Sequence, residues 1–187
     1  MARALRLGKH PRKRSFLAAV TGERVFHRTF LSEQIGQEVS YHIFVPVPYD
    51  QQPEAHFPVI YFLHGGGGGL EGVLPLSQHY AAAMRAGLLA PSLVVFPNGL
   101  ELSLWVDSYD GQVPMESVVI GDLIPHIDRE FRTVADRDGR LVEGFSMGGY
   151  GAARFAFRYP HLFHAATLWG AGPLQPIFDH GPRGLDI

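Results

Sequence analysis

The sequence predicts one α/β domain in three layers: a mostly parallel central sheet between helices, preceded by an antiparallel strand pair. Three observations carry this expectation. Short apolar runs alternate along the chain with longer segments of helical composition, the order in which crossover helices join parallel strands. The runs at residues 57–63 and 93–96 are continuous rather than alternating, as strands buried on both faces are. At 187 residues and 46% hydrophobic content, the chain can bury one substantial core.

The elements follow in order. Residues 1–24 hold seven Lys/Arg against Glu23 alone, and Arg12-Lys13-Arg14 followed by Ser15-Phe16-Leu17-Ala18-Ala19-Val20 has the basic-then-apolar order of an export signal. Thr21-Gly22-Glu23-Arg24 interrupts the apolar run, short of the roughly 7–15 residues such a signal needs. Residues 1–24 therefore read as a basic, flexible arm ahead of a domain at 25–187. The compartment is left open, with the cytoplasm favoured over export. Residues 25–31 and 39–45 alternate apolar and polar around Gly36 and predict an antiparallel pair, closed by Pro46, Pro48 and Asp50. Residues 57–63 form a buried strand entering His64 and five glycines. Residues 75–86 predict a helix, 93–96 a buried strand stopped by Pro97-Asn98-Gly99, and 117–131 a long amphipathic helix kinked at Pro125. Residues 141–145 are a strand, 150–159 a helix ending at Pro160, and 165–169 a last short strand. Residues 170–187 are rich in glycine and proline.

Gly144-Phe145-Ser146-Met147-Gly148 fits G-x-S-x-G between a predicted strand and a predicted helix, the setting of a nucleophile elbow. A turn this tight strains its serine and leaves no room for a side chain at either glycine. The helix that follows aims its N-terminal amides and positive dipole end at charge developing beside Ser146. The competing reading makes Ser146 an ordinary helix N-cap. His64-Gly65-Gly66-Gly67 after the earlier buried strand matches an oxyanion loop. This assigns Ser146 as nucleophile, Met147 N–H as the first oxyanion donor, and an amide among residues 65–67, Gly66 foremost, as the second. His64 itself reads as structural.

A serine nucleophile needs a base, ordinarily a histidine held by a carboxylate, both downstream. After Ser146 the candidates are His161, His164, Asp179, His180 and Asp186. His161 and His164 read as loop residues, and the neighbouring Asp179 and His180 side chains tend to point apart.

These motifs resemble the esterase D-like family of α/β hydrolases, which includes feruloyl and acetyl-xylan esterases, S-formylglutathione hydrolases and mycolyltransferases. The likeness covers about residues 25–172. It rests on Val45-Pro46-Val47-Pro48-Tyr49-Asp50, on Phe57-Pro58-Val59-Ile60-Tyr61-Phe62-Leu63-His64-Gly65-Gly66, on Leu123-Ile124-Pro125-His126-Ile127-Asp128 and on Gly144-Phe145-Ser146-Met147-Gly148-Gly149-Tyr150-Gly151-Ala152. Trp105-Val106-Asp107-Ser108 resembles the family's loop beside the substrate cleft, and Glu116 the acidic residue opening its next helix, neither catalytic. The resemblance implies the α/β-hydrolase fold, C-terminally shortened. The family's further strands, with their acid and histidine, fall beyond this chain, and residues 165–169 become an exposed sheet edge prone to self-association.

The implied activity is carboxylic ester hydrolysis through an acyl-Ser146 intermediate, on small acyl or feruloyl and acetyl esters. The alternatives are acyl transfer and a catalytically impaired or non-catalytic member. No cofactor is expected: the ten histidines are scattered without a metal-binding spacing, and the glycine run lacks the Lys-Ser/Thr ending of a phosphate loop. With no cysteine, disulfides and a thiol nucleophile are excluded. Net charge is −2 and no apolar run reaches the roughly 20 residues of a membrane span, so neither nucleic acid nor membrane is an expected partner. The expected partner is a small-molecule ester, with a homo-oligomer formed through the exposed edge.

Overall fold

The structure, a computed structural model, describes Val20 and residues 22–171. Among the described residues six strands form one sheet in the order β1-β2-β4-β3-β5-β6. β1 (Val25–Ser32) and β2 (Gln37–Phe44) are the antiparallel pair expected from their alternation, with Val25 opposite Phe44 and Ser32 opposite Gln37. β2 runs antiparallel to β4 (Leu93–Pro97). From there β4, β3 (Val59–Leu63), β5 (Arg140–Phe145) and β6 (Ala165–Trp169) are mutually parallel.

Every residue of β3 and β4 is buried, which explains their continuous apolar sequence. Alternation still decides which face each side chain serves. Val59, Tyr61 and Leu63 join the core on the side of α3 (Met115–Ser117), α4 (Ile124–Glu130) and α5 (Met147–Arg158). Ile60 and Phe62 join the smaller core under α2 (Leu70–Arg85). A one-turn helix, α1 (Pro48–Gln51), closes the end of β2.

Three elements differ from expectation. The helix expected from Pro75 begins at Leu70 and carries Pro75 inside it. The carbonyl that Pro75 leaves without a donor belongs to Glu71, one residue into the helix, where the loss disturbs little of the ladder. The kink at Pro125 is a widening: Val118–Leu123 is π-helical, and Ile124 N–H reaches back to Val119. An enlarged turn just before a residue with neither an N–H nor room for a tight turn is a local solution to the proline. The last helix starts at Met147, directly after Ser146, rather than at Tyr150. β6 matches its expected bounds and is exposed at every residue.

Candidate active site

The C-terminal end of β5 runs into Ser146, which holds φ 54° and ψ −113°. This conformation costs a non-glycine residue about 1–3 kcal/mol and persists only where the surroundings impose it. Here they do. Ser146 N–H donates to Trp169 O of β6 at 2.8 Å, and Ser146 O accepts from Tyr150 N–H at 3.1 Å. A Cβ on Gly144 would stand 2.1 Å from Gly148 O, and one on Gly148 would stand 1.8 Å from Leu63 O. The ends of β3 and β5 and the first turn of α5 thus touch backbone to backbone.

Although Ser146 occupies the N-cap position of α5, its side chain makes no capping hydrogen bond. A capping serine would give its oxygen to the second or third helical amide. This hydroxyl is instead exposed, above the start of a 12-residue helix. The first amides of that helix, Met147 N–H among them, lack intrahelical acceptors and carry its positive dipole end.

The glycine loop faces the same serine. A Cβ on Gly65 would lie 3.5 Å from Ser146 Cβ, so the loop runs directly beside the Ser146 turn. Gly67 N–H is committed to Glu101 O at 2.8 Å, which removes one of the three expected second donors. Among the described residues Gly66 N–H has no acceptor, and Gly66 is exposed. Gly67 and Gly68 have φ of +92° and +98°, which accounts for glycine at both.

His64 is buried under this loop. Gly99 N–H donates to its Nε2 at 3.0 Å. An amide only donates, so Nε2 is the bare nitrogen and Nδ1 carries the proton, which it gives to Gly65 O at 2.7 Å. Burial pushes the His64 pKa down, partly offset by its bond to Gly65. With both nitrogens engaged, His64 is not the base for Ser146.

The remaining histidines lie elsewhere. His164 Nδ1 is 3.3 Å from Asp138 Oδ1, and its N–H donates to Arg140 O. That contact is at the start of β5, a strand's length of roughly 17 Å from Ser146. His161 follows the C-terminal end of α5, roughly 18 Å along the helix from its start. Asp179, His180 and Asp186 lie outside the described residues.

Sequence reasoning missed the contacts behind the loop. Trp105, fully buried, donates its indole N–H to His64 O at 3.1 Å. Its side chain fills the space that a Cβ on Gly99 or Gly151 would need. The signal available in the sequence is a tryptophan among Leu100, Leu102, Leu104 and Val106, apolar residues in an otherwise glycine- and acid-containing loop. Glu116 is buried too: it accepts from Arg154 Nε and Tyr159 Oη, each at 2.7 Å, and pairs with Arg158 at 3.2 Å. It therefore fastens α5 to the start of α3, a structural task. Asp107 caps the same start by accepting from Ser117 N–H and Oγ. A cavity of about 920 Å³ lies on the α2 side of the glycine loop, between His42, Phe62, Val73, Phe96 and Glu101. Ser146 does not line it.

Residues 32–179 match the family model described as "Putative esterase". The chain belongs to this esterase family. An esterase of Mycobacterium tuberculosis is 32% identical over 164 residues, covering 83% of this chain and 34% of that protein. An endo-1,4-beta-xylanase/feruloyl esterase of Xylanibacter ruminicola is 30% identical over 166 residues, covering 84% of this chain and 23% of that protein. The chain thus spans about a third or less of these relatives. Among solved structures, a ferulic acid esterase superposes with a TM-score of 0.70 at 26% identity, over 76% of this chain and 57% of the other. An S-formylglutathione hydrolase from Agrobacterium tumefaciens superposes with a TM-score of 0.63 at 20% identity, over 76% and 56%. The α/β-hydrolase fold expected from the elbow is therefore the fold of the molecule.

Proposed function

We propose that this chain carries the nucleophile half of a carboxylic ester hydrolase. Ser146 Oγ attacks the ester carbonyl carbon, and the carbonyl oxygen becomes an oxyanion received by Met147 N–H and Gly66 N–H. Collapse expels the alcohol, which leaves with a proton, and the acyl group stays on Ser146. Water then attacks the acyl-serine, releases the acid and restores the hydroxyl. One observation carries the reading: Ser146 is held in a strained, uncapped conformation beside the unpaired Gly66 amide. The feruloyl and ferulic acid esterase names among the relatives support aromatic acyl esters of that type as the first substrates to try, alongside short acyl esters.

The described residues bring no imidazole to Ser146. Proton transfer therefore falls to a group outside them or on another chain. A serine and oxyanion hole alone retain about 10³–10⁴-fold acceleration over water when triad members are lost, so acylation is slow and measurable. The test is release of p-nitrophenol from the acetate and butyrate esters, burst and steady state, by wild type and Ser146→Ala. A Ser146-dependent burst with the acyl mass on the serine peptide supports the reading. Equal release by both proteins rejects it in favour of a non-catalytic binding protein.

The exposed edge at β6 supports self-association through antiparallel pairing of two copies. Sedimentation velocity gives a dimer if so and a monomer if not. Among the described residues no helix is long and apolar enough to cross a membrane.

A further inference from the structure

We infer that His64 is a positioning residue: its imidazole, held as the Nδ1–H tautomer, sets the direction of the Gly66 N–H. The argument is one of peptide planes. In a trans peptide the N–H points opposite to the preceding carbonyl, and no cis peptide occurs among the described residues. Whatever holds the Gly65 carbonyl therefore aims the Gly66 amide. His64 Nδ1 holds it at 2.7 Å.

The adjoining planes are fixed as well. Trp105 Nε1–H holds His64 O at 3.1 Å and so orients the Gly65 amide. Glu101 O holds Gly67 N–H at 2.8 Å and so orients the Gly66 carbonyl. Three consecutive planes of a glycine run, the most pliable backbone available, are thereby immobilised, and only the central one depends on a group with two possible tautomers. The Gly99 amide removes that choice by occupying Nε2. The ring is seated tightly enough that a Cβ on Gly69 would come within 2.6 Å of it. Preorganised donors of this kind are what make an oxyanion hole effective.

The inference rests on the proposed function only in calling the Gly66 amide an oxyanion donor, and its test has an arm independent of catalysis. In ¹⁵N-labelled wild-type protein at neutral pH, the His64 ring nitrogens are expected to report a neutral ring protonated at Nδ1. A charged ring, or a proton on Nε2, overturns the inference. The second arm uses two variants that each keep half of the imidazole. His64→Asn places an amide nitrogen where Nδ1 was and keeps the donor to Gly65 O. His64→Gln places its terminal amide near Nε2 and keeps the acceptor for Gly99. The expected result is that Asn retains the burst rate within about threefold, while Gln loses about ten- to a hundredfold in kcat with KM unchanged, somewhat less than deletion of a donor costs. Equal losses in the two variants that track their melting temperatures overturn the positioning role. If wild type shows no Ser146-dependent burst, the proposed function fails, and the ring-nitrogen assignment alone decides the tautomer lock.

Discussion

β5 delivers Ser146 between two unlike neighbours. On one side β3 is buried along its whole length, and the loop it feeds is tied down by His64, Trp105 and Glu101. On the other side β6 is exposed at all five residues, yet its Trp169 carbonyl holds the Ser146 N–H. The nucleophile turn thus has one wall set by core packing and one set by little more than a strand ladder. The difference separates two properties that are easily confused. The proposed oxyanion geometry at Gly66 belongs to the packed wall, whereas the strained serine needs both. Perturbing each wall in turn should give effects of very different size.

The largest effect is expected from Gly148→Ala. The added methyl has no space against Leu63 O, and forcing it in costs about 3–5 kcal/mol. Urea denaturation should show the loss together with loss of the p-nitrophenyl acetate burst. Acid should also weaken the packed half. His42 of β2 is buried, and burial first, then the His27 charge, lowers its pKa from 6.5 to about 4. The folded pKa lies below the unfolded one, so the stability held by the neutral ring is complete above about pH 6.5 and is lost as pH falls towards 4. That loss should be on the order of 2 kcal/mol, discounted for screening. The urea midpoint should fall across that window, and His42→Gln should flatten most of the slope.

A smaller change of opposite sign is expected at the junction of the two walls. Ser146→Gly removes the cost of φ 54° and should raise stability by about 1 kcal/mol while abolishing the burst. Thermal melts of Ser146→Gly beside Ser146→Ala isolate the backbone contribution. The smallest effect should come from Leu168→Ala on β6, within about 0.5 kcal/mol because the side chain is exposed. A loss of several kcal/mol there would mean that β6 is covered in solution, and the contrast between the walls would collapse.

Local rules made much of this legible. Alternation located β1 and β2, continuous apolar runs located β3 and β4, and the elbow located Ser146 at the strand-helix junction. The misses have two causes. The start of α2 before Pro75 and the π-helical turn before Pro125 show backbone adjustments that absorb a proline, where sequence signals only the obstacle. His64 to Gly99 and His64 to Trp105 are contacts across 35 and 41 residues, invisible to any periodicity. The Gly67 N–H bond to Glu101 O, across 34 residues, likewise turns Gly67 from an oxyanion candidate into an anchor. Asp179, His180 and Asp186 stay as the sequence left them, candidates outside the described residues.

The three fixed peptide planes have a practical consequence for anyone wishing to change what the site accepts. Two of their anchors, the His64 and Trp105 side chains, are buried beneath the loop, and the third is the backbone carbonyl of Glu101. Leu102 and Phe145, in contrast, are exposed beside it. In the proposed esterase, the exposed rim and the anchors of the Gly66 amide are therefore separate groups of residues. A library at Leu102 varies the exposed rim of the loop while His64 and Trp105 keep their places beneath it.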